Sequence, residues 1–143
     1  MDEAAYRAAR GATAPQPCVF EKAMLARCAT CELAVRHALA EREAIGCASP
    51  TARINCATVA ALLRERAAFA LKLGPEAPLP HAIAMKLQCG GLRGIVAAGG
   101  DADVHRALAA AKARHGSLSD LPWGDLVAAV VAWQGRRRAG AAR

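Results

Sequence analysis

The chain has 143 residues, 55% of them hydrophobic but only 3% aromatic, and a formal charge of +7. That length suffices for one domain with a real core, and the apolar share excludes a disordered chain. Arg136, Arg137, Arg138 and Arg143 lie in an acid-free terminal tail, so the basic balance belongs largely to that tail and is no evidence for a nucleic-acid groove.

The apolar residues are mostly Ala, Leu and Val. Alanine has the best helix propensity and lets helices approach closely, whereas strand formers are sparse. The expected fold is all-α: a compact bundle of about five helices, with a long antiparallel helical hairpin in the N-terminal half. Its expected divisions are an N-terminal arm at 1–17, a single helical cysteine-rich domain at 18–134 and a basic C-terminal tail at 135–143.

Within the arm, Ala4 to Arg10 can form a helical turn before Gly11, Pro15 and Pro17. Phe20 to Ala44 reads as helix on the positions of Leu25, Leu33, Val35 and Leu39, with Glu32 and Arg36 as an i,i+4 pair. Gly46 is a natural stop. Ser49 and Pro50 make an N-cap and first-turn pair for a second long helix, which carries Ile54, Val59, Leu62, Leu63 and Leu71 and ends at Gly74-Pro75. A shorter helix fits His81 to Gln88, stopped by Cys89-Gly90-Gly91, with a further turn over Leu92 to Ala98. Asp101 or Asp103 caps a helix running to His115, and a last helix covers Trp123 to Gln134.

Chemistry rests on six cysteines: Cys18, Cys28, Cys31, Cys47, Cys56 and Cys89. Five of them fall between residues 18 and 56, while nothing after residue 89 is cysteine. The start Met1-Asp2-Glu3 is acidic with no apolar run behind it, which reads as no secretory signal. The stretch from Leu126 to Trp133 is too short to span a bilayer. The expected location is therefore cytoplasmic, where ordinary thiols stay reduced and clustered cysteines point to metal binding.

Thiolates are soft ligands for zinc, copper(I) or iron–sulfur clusters. Cys28-Ala29-Thr30-Cys31 is a CxxC, but no second CxxC or His pair completes a zinc ribbon, and the closely spaced ferredoxin run is absent. Dispersed spacing suits a cluster held inside a domain. The expected centre is [4Fe–4S], with zinc as the alternative. Candidate metal ligands are Cys18, Cys28, Cys31, Cys47 and Cys56, and Cys18, Cys31, Cys47 and Cys56 are the expected cluster set. Cys28 and Cys89 are expected to tolerate replacement.

Helix geometry tests this expectation. On one straight helix, Cys31 would lie roughly 20 Å below the turn at Gly46 and Cys56 only about 10 Å below it, at about 1.5 Å per residue. A shared site therefore requires a break between Arg27 and Glu32, leaving a short helix over Phe20 to Ala26. His37 is a possible extra ligand, although a lone histidine is more often a surface or core residue. A thioredoxin motif would need a strand before the CxxC, and a di-iron bundle would need paired Glu-x-x-His motifs. The segment Cys89 to Gly94 lacks the lysine and context of a phosphate loop. No acid–base pair marks an enzyme. The expected role is electron transfer or redox and gas sensing with a protein partner. A colourless structural-zinc interaction protein and a metal-free dithiol switch are its rivals, and nucleic acid could be reached only through the Arg136–Arg138 tail.

Overall fold

A computed structural model describes residues 2–13 and 16–135, so the Arg136–Arg138 tail lies outside the described residues. The fold is mixed, not all-α. Helix α1 (Glu3–Thr13) and the short α2 (Glu21–Leu25) precede a two-stranded antiparallel sheet, β1 (Ala34–Leu39) and β2 (Arg42–Cys47). Then follow α3 (Pro50–Leu71), α4 (His81–Met85), a π-helical turn (Lys86–Gly90), α5 (Gly91–Gly99), α6 (Val104–His115) and α7 (Trp123–Ala132).

The expected helical hairpin in the N-terminal half is therefore replaced by one helix and a β-hairpin. Ala34 pairs with Cys47 and Leu39 with Arg42, so the chain reverses over Ala40 and Glu41. Two-residue hairpin turns favour residues that accept positive φ, such as Asn or Gly. Here Ala40 takes that role at φ 58, which is why local sequence offers no hairpin signal. Tertiary partners hold the strands. The Tyr6 hydroxyl donates to the Glu43 carbonyl at 2.9 Å, Ile45 N–H donates to the Glu21 carboxylate at 2.8 Å, and Arg36 donates to the Met24 carbonyl at 2.8 Å. Tyr6, Leu39 and Ala44 form a small satellite core, so the expected arm is in part a helix docked on the hairpin.

The break between Arg27 and Glu32 is present. Helix α2 stops at Leu25, and Arg27 takes the left-handed conformation at φ 59. Ser49 caps α3 by accepting from Ala52 N–H at 3.1 Å, with Pro50 in the first turn. Asp103 caps α6, accepting from Arg106 N–H at 2.9 Å.

Gly90 and Gly91 do not stop a helix. From His81 to Gly99 the chain runs through α4, the π turn and α5 without reversing. The glycines instead permit close packing, since a Cβ on Gly90 would meet Val130 Cα at 2.6 Å and the Ala129 carbonyl oxygen at 2.9 Å. Those are backbone atoms of α7, so relief requires moving a helix. Gly90→Ala is expected to cost about 1–3 kcal/mol, the usual range for overpacking a core, measurable by chemical denaturation. The main core lies where α3, α5, α6 and α7 meet, around Leu63, Leu92, Ile95, Leu126 and Val130. Cys18, Cys31 and Cys56 pack against it.

Candidate metal centre

Four separate pieces of chain carry Cys18, Cys31, Cys47 and Cys56. Cys18 follows an edge segment that pairs with β2: Cys47 N–H donates to the Gln16 carbonyl and Cys18 N–H to the Ile45 carbonyl, each at 2.8 Å. This pairing sets Cys18 beside the end of β2, where Cys47 sits. The turn through Ala48 and Ser49 then starts α3 and delivers Cys56 in its second turn. Arg53 in the same helix donates to the Pro17 carbonyl at 2.6 Å, tying α3 to the Cys18 segment.

Cys31 comes from further away and is strapped to the start of α6. Val104 N–H donates to the Thr30 carbonyl at 2.9 Å. Glu32 N–H donates to the Asp103 carboxylate, whose other oxygen caps α6. Asp103 is the one charged residue in the buried interior of the described residues, 6% exposed, and both its oxygens are used.

All four cysteines are free, half-buried and line one cavity of about 30 Å³. Apolar side chains such as Phe20, Met24 and Val104 complete its wall, with Arg53 and His105 also present. Among the described residues, no three of these sulfurs lie within 4.8 Å of one another. A zinc ion would require about 3.8 Å, the edge of a tetrahedron with 2.3 Å Zn–S bonds.

Electrostatics couples the four. Burial pushes Cys56 up to about 12, with the neighbouring Cys18, Cys31 and Cys47 adding to the rise. Burial likewise pushes Cys18 up to about 11, opposed by a main-chain hydrogen bond from Phe20 and reinforced by Cys31 and Cys47. Cys31 is also raised by burial, while main-chain hydrogen bonds from Leu33 and His105 favour its thiolate. At neutral pH Cys18, Cys31 and Cys56 are thus protonated, poorly nucleophilic thiols, and a metal bound there would displace their protons. A proton held more tightly when folded than when unfolded stabilises the fold below the ordinary thiol value. That stability is lost as pH rises through the raised values. Metal-free protein is expected to lose stability above about pH 9, as followed by thermal melts across alkaline pH, and cysteine-to-serine replacement at position 56 should flatten that loss.

Cys28 and Cys89 stand apart. They form a disulfide with Cα atoms 5.6 Å apart across 61 positions of sequence. Cys28 is thus not a free thiolate and leaves the candidate ligand set, and the CxxC does not act as a chelating pair. For this pair the expectation of metal binding in preference to a disulfide is corrected. His37 lies in β1 and does not line the cavity.

Glu32, Asp103 and His105 place one ligand atom each within 4.8 Å of one another. Their bonds explain the grouping without an ion. His105 Nδ1 lies 2.9 Å from Glu32, and Arg106 spans Glu32 and Asp101 at 3.0 Å each. This network fastens the Cys31 loop. Sequence reading gave Asp103 only a capping role and missed Glu32 and His105, because their sequence distance of over seventy positions leaves no local signal.

Comparison with protein-family models, curated proteins and solved structures finds no match for this chain. What fold and site define is a class by architecture: a mixed helix-and-sheet protein with, among the described residues, one β-hairpin and an apolar cavity lined by four thiols. No helix among the described residues is long and apolar enough to cross a membrane.

Proposed function

We propose that the protein binds an iron–sulfur cluster of the [4Fe–4S] type on Cys18, Cys31, Cys47 and Cys56 and works in electron transfer or in redox or gas sensing. One observation carries the reading: four unpaired thiols from four segments line a single apolar cavity. Four cysteine thiolates make the ligand set of such a cluster, and soft donors exclude magnesium and calcium as natural occupants.

Spacing supports a cluster over a single ion. No three of the sulfurs lie within 4.8 Å of one another among the described residues, whereas one zinc ion needs about 3.8 Å between its sulfurs, and an inorganic core of several atoms separates its ligands further than one ion does. Cys18 and Cys31 sit on irregular segments, whereas Cys47 lies in β2 and Cys56 in α3. When bound, the cluster supplies one-electron chemistry. The chain's own contribution is to hold the thiolates, keep water off them with Phe20, Met24 and Val104, and direct the amides of Leu33 and His105 to the Cys31 sulfur. Hydrogen bonds to sulfur and solvent access are the levers that set a cluster's potential.

A reducing, cytoplasmic setting and a protein redox or regulatory partner belong to this reading. Anaerobic purification tests it. Brown protein with about four iron and four sulfide per chain supports the proposal; colourless protein holding zinc, or no metal after reconstitution with iron and sulfide, overturns it.

A further inference from the structure

The Cys28–Cys89 disulfide differs from a buried structural staple in how its two ends are placed. Cys28 is exposed, while Cys89 is 2% exposed. Cys28 lines two clefts among the described residues, one of about 1060 Å³ and one of about 340 Å³. Arg27 and Arg93 line both, and Lys86 lines the larger. Leu25, Met85 and Trp133 give the larger cleft an apolar wall.

Two backbone features fall on the same spot. Arg27, directly before Cys28, holds a left-handed φ of 59, uncommon for a residue with a side chain. Cys89 lies in the π-helical turn Lys86–Gly90. Local strain and π turns both concentrate at functional sites.

We propose that Cys28–Cys89 is a redox-active disulfide that undergoes thiol–disulfide exchange with a dithiol partner bearing acidic groups, docked in the cleft lined by Arg27, Lys86 and Arg93. Exchange begins at the accessible sulfur. A thiolate of the partner attacks Sγ of Cys28, forming a mixed disulfide. The S–S electron pair passes to Cys89, which takes up a proton. The partner's second thiol loses its proton and attacks the partner sulfur of the mixed disulfide, releasing Cys28 as a thiolate beside the cleft's cations. The partner is oxidised by two electrons to a disulfide, and the Cys28–Cys89 pair is reduced by two. Nearby cations favour the thiolate and make it a better leaving group. Nothing in this step depends on what the four-thiol cavity holds.

The test uses the full chain without denaturant and two probes: dithiothreitol, and a reduced dithiol peptide flanked by glutamates. After alkylation, mass spectrometry reads the Cys28 and Cys89 peptides separately from the other four cysteines. The expected result is that both probes free Cys28 and Cys89 while circular dichroism is unchanged. Arg27→Gln should slow dithiothreitol by up to about threefold, the effect of one unit of leaving-thiol pKa at a Brønsted slope near 0.5, and slow the acidic peptide by more, since it also loses a docking cation. In Cys89→Ser, oxidised glutathione should leave one stable adduct, on Cys28. Release of the two thiols only after unfolding, or an oxidised pair absent from protein purified in air, overturns the proposal. An acidic-peptide rate slowed no more than that of dithiothreitol by Arg27→Gln overturns the docking part. Brown protein with an inert disulfide would separate failure here from failure of the cluster reading.

Discussion

Serine at Cys18, Cys31, Cys47 or Cys56 is expected to remove the visible chromophore of anaerobically prepared protein, one site at a time. Serine at Cys28 and Cys89 together should keep it. The division follows the geometry: the first four thiols share a cavity, and the last two are bonded to each other. Outer partners of a metal ligand already cost about 10–100-fold in affinity when lost. Removing a ligand itself should therefore exceed that range and leave iron content near background. Serine is nearly isosteric and fills the half-buried positions, so far-UV circular dichroism should stay at the parental value. That separates loss of a ligand from loss of the fold. Retention of the full iron and sulfide content by any one of the four variants would remove that cysteine from the set, and retention by two would end the four-thiol site.

Cys18, Cys31, Cys47 and Cys56, named from the sequence as a cluster set, line one cavity, but the structure around them was only partly legible. The local signals held at the helix caps and at one helix end. Ser49-Pro50 starts α3, Asp103 starts α6, Gly116 follows its last residue, and a break interrupts the chain before Cys31. Ligand geometry required that break, because a straight helix could not bring Cys31 and Cys56 together. The hairpin was hidden, since its turn uses Ala40 at positive φ in place of Gly or Asn. Its strands owe their state to Tyr6, Glu21 and Arg36, whose partners lie outside any local window. The Gly90-Gly91 pair misled in the opposite direction: read as a stop, it is a contact face for α7 and α3. Pairing of Cys28 with Cys89 spans 61 positions and has no sequence signature. Long-range partners decided each of these cases.

Asp103→Ala is expected to weaken the fold by about 2 kcal/mol, the sum of a lost helix cap near 1 kcal/mol and a lost part-buried hydrogen bond near 1 kcal/mol. The cap is the bond from Arg106 N–H, and the other is the bond from Glu32 N–H, which has its acceptor on the same carboxylate. The substitution also reaches the proposed metal centre. Glu32 follows Cys31 directly, and the Thr30 carbonyl is held by Val104, next to Asp103. Without the carboxylate, the Cys31 loop loses one of the bonds that fix it on α6, and the His105 amide loses its register with the Cys31 sulfur. Cluster loading should drop and the bound cluster should bleach faster in air, by the 10–100-fold typical of an outer-partner loss. Asp103→Asn separates the two effects. Its side-chain oxygen can still accept one of the two amide protons, so the variant should recover part of the stability, while its NH2 group opposes the other donor. If Asn restores stability in urea titrations but the air-bleaching rate stays at the alanine value, both bonds are needed to place Cys31. If neither variant changes cluster lifetime, the strap between the Cys31 loop and α6 is structural alone.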